Sequence, residues 1–268
     1  MKRLHPALLV TAVAGMLFLY LPLVAVAVFS VNASRHGVTW TGFTLDWYAK
    51  LFDNDLIKDA TWNTFVLAVV STAVSTVIGT ALAIGVDRFP QPRWLRGVMD
   101  TIIELPVVTP DIIFAAALVI VFMFAELVWS QLQMGMWSMV LGHVTFQIAF
   151  VCLVVRSRLA VMGKQVEEAA RDLYAGNWYT FRRVTLPLIL PGVVAGAMLA
   201  FTLSLDDFVI SFFTNGTVNT VPIYIQASVK RGVSPEIHAL STLIVGVTVM
   251  LVVGVELLTR RKHPPASG

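Results

Sequence analysis

The chain has 268 residues, of which 57% are hydrophobic and 13% charged, and its mean hydropathy is +0.79. Such a balance is far more apolar than that of ordinary globular domains and places the chain in a bilayer. A net charge of +3 gives no footing for nucleic-acid binding, and the lone Cys152 has no partner for an intrachain disulfide.

Taken in chain order, the first apolar run covers about residues 8–30, long enough to cross a hydrocarbon core roughly 30 Å thick. Lys2 and Arg3 precede it and Ala25-Val26-Ala27 resembles a signal cleavage site, but the run exceeds the 7–15 residues of a signal core and is read as a retained span. Residues 31–61 carry Trp40-Thr41-Gly42-Phe43-Thr44-Leu45-Asp46-Trp47-Tyr48, the composition of a short helix lying at the outer interface. Asn32-Ala33-Ser34 and Asn215-Gly216-Thr217 fit the glycosylation pattern and would be chance matches if the chain is bacterial, the favoured reading.

The second span covers about 62–86 and the third about 99–124. Pro106 and Pro110 are expected to kink the third, with Glu104 toward its cytoplasmic end and Asp111 near its middle. The fourth, about 137–155, holds Cys152 as a small packing residue and His143 as a hydrogen-bond partner rather than a metal ligand, since no second His or Cys stands nearby. Residues 156–191 form a polar, basic cytoplasmic segment: a helical run from Val166 to Leu173 with Glu167, Glu168, Arg171 and Asp172 as surface charges, a break near Gly176, a second run from Trp178 to Val184, then Pro187 and Pro191.

The fifth span, about 188–212, opens with Gly192-x-x-x-Gly196, which permits close helix packing within the subunit. Turn residues Gly216, Pro222, Gly232 and Pro235 leave room for at most one short helix before the sixth span, about 237–258. The fold class is therefore all-α: a polytopic membrane protein with six transmembrane helices in one domain covering residues 1–268. Lys2, Arg3, Arg88, Arg93, Arg96, Arg156, Arg158, Lys164, Arg171, Arg182, Arg183, Arg260, Arg261 and Lys262 fall on one side, 14 of the 19 basic residues, which sets both termini in the cytoplasm.

Carboxylates within spans cost about 2.5–3.5 kcal/mol each on insertion scales and need partners, water or a task. Asp111, Asp206, Asp207 and Glu104 fit a negative lining for an elongated polycation, helped by aromatic faces such as Phe208 or Trp47. The alternative is that they are neutral or bonded to helix ends and His143, with Trp47 an interfacial anchor. Adjacent helical residues diverge by about 100°, so Asp206 and Asp207 share one direction only if the helix is broken there.

Glu168-Ala169-Ala170-x-Asp172-Leu173, followed after a fixed gap by Leu186-Pro187, resembles the EAA loop of ATP-binding-cassette importer permeases. Phe201-Thr202-Leu203-Ser204-Leu205-Asp206-Asp207, Val233-Ser234-Pro235-Glu236, Thr109-Pro110-Asp111, Gly142-His143-Val144-Thr145-Phe146 and Trp40-x-Gly42-Phe43-Thr44-x-x-Trp47-Tyr48 extend the resemblance to the spermidine/putrescine branch of that family. It implies the type I importer permease fold, a bacterial inner-membrane location and polyamine uptake by alternating access. Residues 156–191 would then dock an ATPase in the cytoplasm. The implied partners are a homologous second permease, forming a heterodimer, two ATP-binding subunits and an external substrate-binding protein. ATP and Mg would sit in the partner subunits, because this chain has no phosphate-binding loop, binds no cofactor or metal of its own and is not an enzyme. Tyr174 stands where the family usually has glycine, so an altered turn, shifted toward Gly176, is expected. Rival readings are an importer of another cationic solute or of ferric ion and, from other classes, an ion channel or an intramembrane enzyme using Asp206, Asp207 and His143.

Overall fold

A computed structural model of the chain describes residues 6–34, 39–129, 133–231 and 235–260. Lys2, Arg3, Arg35, Arg261 and Lys262 of the charge pattern, and Gly232, Val233 and Ser234 of the last external motif, lie outside the described residues. The Cα trace divides into two units, residues 1–58 with 225–268 and residues 59–224.

In the first unit, α1 (Pro6–Phe29) packs against α12 (Pro235–Arg260), which also meets α2 (Asp46–Asp53). The expected outer helix is α2, and the segment leading into it is folded around one buried amide. Asn32 donates from Nδ2 to the Thr39 carbonyl at 2.9 Å and accepts the Thr41 N–H at Oδ1 at 3.1 Å. Its own carbonyl accepts the Trp47 indole N–H at 2.7 Å. Trp47 is buried with the Lys50 ammonium 4.4 Å above its ring, so its N–H is committed to local structure.

The second unit is organised on α6 (Met136–Met162), gripped by small-residue faces of α3 (Asp55–Arg88) and α9 (Leu186–Asp206). Without a hydrophobic drive between helices in lipid, close backbone approach supplies much of the attraction. A Cβ on Gly79 of α3 would stand 2.8 Å from the Val151 Cβ and 2.9 Å from the Ile148 carbonyl. On α9 a Cβ at Gly192 would meet the Arg158 Cβ at 2.7 Å, and one at Gly196 the Val151 Cα at 3.4 Å. The glycine pair thus packs inside this subunit, as its spacing indicates. Cys152, fully buried among Ala83, Val155 and Ile189, is a packing residue.

Two spans depart from the continuous helices expected. The third is not kinked but split into α4 (Arg93–Val108) and α5 (Asp111–Val128), because Pro110 lacks an N–H and forces Thr109 into an extended conformation, φ −75° and ψ 130°. The fifth ends at Asp206; Asp207 turns the chain with φ −64° and ψ 120°, and α10 (Val209–Thr214) follows. One helix, α11 (Val221–Arg231), occupies the external connection to the sixth span.

Between α6 and α9 the polar, basic segment forms α7 (Gln165–Asp172) and α8 (Asn177–Thr180), the latter running through a π-helical turn (Phe181–Thr185) into α9. Pro187 cannot donate to the preceding turn, which favours the wider register there. The bend did not move to Gly176, whose φ of −65° suits any residue. Tyr174 itself is left-handed at φ 59°, closing α7 with a Schellman pair: Ala175 N–H to the Ala170 carbonyl at 3.1 Å and Tyr174 N–H to the Arg171 carbonyl at 2.9 Å. Left-handed backbone costs a tyrosine about 1–2 kcal/mol, partly offset by the entropy a glycine would lose. Tyr174→Gly is accordingly expected to stabilise the chain by roughly 0.5–1 kcal/mol in an unfolding titration in detergent micelles.

Candidate functional site: a carboxylate cavity between two broken helices

The two helix breaks meet. A cavity of about 360 Å³ lies between them, walled by Pro106 and Val107 at the end of α4, Asp111 and Phe114 on α5, Phe146 and Phe150 on α6, Leu203 on α9 and residues 206–210 at the second break. Asp111, Asp206, Asp207 and Phe208 from the sequence reading are all on its wall. Glu104, exposed on α4, does not line it, and Trp47 belongs to the other unit. The break after Asp206 is what lets neighbouring aspartates reach one space. At each break a helix also ends in carbonyls freed from the ladder, α4 at Val108 and α9 at Asp206, so the negative ends of two dipoles accompany the carboxylates.

The three carboxylates are held differently. Asp111 opens α5, where the helix dipole favours a negative side chain, and is exposed. Asp206 is exposed as well, whereas the Asp207 side chain is only 12% exposed. Asp207 Oδ2 accepts the Ser211 N–H at 2.8 Å and Oδ1 the Ile210 N–H at 3.4 Å, capping α10. His143 Nε2 stands 3.3 Å from Oδ2. Fully buried, His143 has Ser204 Oγ 2.7 Å from Nδ1 and Ser211 Oγ 3.0 Å from Nε2, so the hydrogen-bonding role read from the sequence is the one it plays. Among the described residues no cluster of three His, Cys, Asp or Glu is placed to hold a metal ion.

Sequence reasoning missed a polar network behind this wall. Gln147 on α6 donates from Nε2 to the Ala200 carbonyl at 3.0 Å and to Ser71 Oγ at 3.2 Å, and Ser75 Oγ donates to its Oε1 at 3.0 Å. Ser71 Oγ lies 3.3 Å from Ser204 Oγ. The available signal was the i, i+4 pair His143 and Gln147, one face of α6 that is polar within an apolar span.

On the segment between α6 and α9, Glu168, Ala169, Asp172 and Leu173 are exposed, Ala170 is half-buried, and Gly176 is exposed beyond the Tyr174 bend. Leu186 and Pro187 open α9. Glu167, read from the sequence as a surface charge, is instead buried. Its Oε2 lies 2.9 Å from Arg88 Nε and its Oε1 accepts the Thr185 hydroxyl at 2.8 Å. Arg88 also donates from Nη2 to the Leu159 carbonyl at 3.2 Å and the Gly163 carbonyl at 3.1 Å, closing the C-terminus of α6. Next to it, Asp87 and Asp100 share Arg156, at 3.2 and 2.8 Å. The C-terminal end of α3 is thereby tied to α4, α6 and α7.

Comparison with known proteins places this geometry. Residues 75–261 match the family described as "Binding-protein-dependent transport system inner membrane component". The chain is 37% identical over 254 residues to the spermidine/putrescine transport system permease protein PotC of Escherichia coli K12, covering 94% of this chain and 93% of that protein. It is 37% identical over 243 residues to the putrescine transport system permease protein PotI of the same organism, covering 90% and 86%. In fold it is similar to a chain of a bacterial alginate ABC transporter crystallised with an alginate-bound periplasmic protein, with a TM-score of 0.74, 17% identity, and coverage of 96% and 93%. With its helical spans, the motif-bearing segment between α6 and α9 and these matches, the chain belongs to the inner-membrane permease family of binding-protein-dependent transport systems, as a multi-pass subunit of an ABC importer.

Proposed function

We propose that this permease carries polyamines, spermidine and putrescine, into the bacterial cytoplasm by alternating access. The observation that carries the reading is the convergence of Asp111, Asp206 and Asp207 with aromatic faces in one cavity between two broken helices. Separated carboxylates suit a flexible chain with separated ammonium groups, and the phenyl faces of Phe114 and Phe208 suit the methylenes and charges between them. The 37% identity to PotC and PotI supports the same substrate class.

In the assembly so inferred, the chain pairs with a second, different permease and receives substrate from an external binding protein. Both termini lie in the cytoplasm, and two ATPase subunits supply ATP and Mg there. Glu168, Ala169, Ala170, Asp172, Leu173 and Gly176, with Leu186 and Pro187 behind them, form the ATPase-facing element. Closure of the ATPases biases the equilibrium between outward and inward states through their higher affinity for ATP when closed.

Uptake of labelled spermidine and putrescine in cells lacking other polyamine importers tests the reading. Re-expression of this chain with its partners is expected to restore uptake. Inserted, partner-bound protein that leaves uptake at background would reject polyamines and turn the search to other cationic solutes or ferric ion.

A further inference from the structure

The polar network behind the cavity has a direction, set at both ends. At the Gln147 end, the Ala200 carbonyl can only accept, so the side-chain nitrogen faces it and the other amide hydrogen goes to Ser71 Oγ. Ser75 Oγ, bonded to Oε1, agrees with that orientation of the amide. Ser71, once it has accepted from Gln147, has one hydrogen, with Ser204 Oγ at 3.3 Å and the Ala68 carbonyl at 3.4 Å as its acceptors, and Ser204 has one for His143 Nδ1 at 2.7 Å. At the other end, His143 Nε2 faces Asp207 Oδ2 at 3.3 Å, and an ionised carboxylate has no hydrogen to give. Ser211 Oγ, 3.0 Å from Nε2, can give a bare nitrogen a hydrogen, but that nitrogen's lone pair would still stand beside the carboxylate in a site where His143 is wholly buried.

We propose that a one-way donor relay, Gln147 to Ser71 to Ser204 to His143, fixes His143 as the neutral tautomer with its proton on Nε2, so that it donates to Asp207 and holds that carboxylate charged and aimed into the cavity. Gln147 and Ser204 then act on the substrate without touching it: neither lines the cavity, and both work through His143. They are positioning residues for the cation site. The relay also gives the buried serines and glutamine of α3, α6 and α9 a role beyond packing, because Ser204 turned away from His143 would call for a proton on Nδ1.

The tautomer does not depend on the substrate, whereas its effect on uptake rests on the polyamine reading above. The full chain, labelled with 15N-histidine and reconstituted in lipid bilayers, is examined by solid-state NMR, with His143→Gln identifying the His143 signals among the five histidines. A neutral ring with protonated Nε2 and bare Nδ1 is expected. A ring protonated on Nδ1 alone, or on both nitrogens, overturns the relay.

Gln147→Met removes the first donor at similar volume and is expected to shift part of the His143 population to the Nδ1–H form. It should also raise the KM for spermidine uptake about ten-fold while the maximal rate holds. An unchanged spectrum and KM overturn the role given to Gln147. The expected spectrum in a wild-type chain that imports neither polyamine would instead uphold the relay and reject the substrate.

Discussion

Asp207→Asn is expected to lower the apparent affinity for a polyamine by about 30-fold or more while the subunit stays folded and in complex. Truncating one side of a buried charge pair costs about 2–5 kcal/mol, and each 1.4 kcal/mol is about ten-fold. The isosteric amide separates charge from fold. Its oxygen, in place of Oδ2, still accepts the Ser211 N–H now held at 2.8 Å and the hydrogen on His143 Nε2, so the cap of α10 survives. Its NH2 group falls where Oδ1 accepts the weaker Ile210 contact at 3.4 Å. Asp111→Asn and Asp206→Asn remove exposed charges from the same wall and are expected to cost less. Concentration dependence of labelled spermidine uptake, with subunit content measured in the same membranes, reads the effect. Normal affinity in Asp207→Asn would remove the cation from this cavity.

Much of this fold was legible because apolar length alone marks spans, and because Gly192 and Gly196 announce close packing wherever they meet a partner. Helix breaks were harder to see. Pro106 and Pro110 mark a disturbance, but whether a proline kinks or splits a span depends on what receives the freed backbone groups, and that is decided by neighbours distant in sequence. At Asp207 no proline or glycine gives warning. The break is held by the carboxylate capping α10 and by His143, a residue of another helix. The candidate site was legible as a set of carboxylates, since charge in a span stands out by its cost, whereas Ser71, Ser75 and Gln147 are polar enough to form a network yet too mild to interrupt a hydrophobic run. Tyr174 shows the opposite limit: the family pattern marked the bend correctly, but the preference for glycine did not move it, because the two Schellman bonds fix the left-handed residue relative to the end of α7.

Glu167 was misjudged for the same reason, since its counter-charge lies on α3, and its burial leads to the second large expected effect. Arg88 and Glu167 are 12% and 10% exposed, and their ion pair joins α3 to the segment that carries Glu168. Glu167→Ala leaves the guanidinium without its carboxylate and the Thr185 hydroxyl without its acceptor, which is expected to cost about 3–5 kcal/mol of unfolding free energy. Replacing both Arg88 and Glu167 with Met should recover most of that loss, because a buried pair exchanged for apolar side chains is often neutral. Unfolding titrations of Arg88→Met, Glu167→Met and the double variant form the cycle; a double variant as unstable as the two losses added together would refute the ion-pair account. Glu168→Lys provides the contrast. Glu168 is exposed beside the buried pair, so its reversal is expected to leave the subunit as stable as before and abolish co-purification of the ATPase. Adjacent glutamates on one short helix thus divide two tasks according to which way each points: Glu167 inward, fastening α7 to α3, and Glu168 outward, toward the partner that would move it.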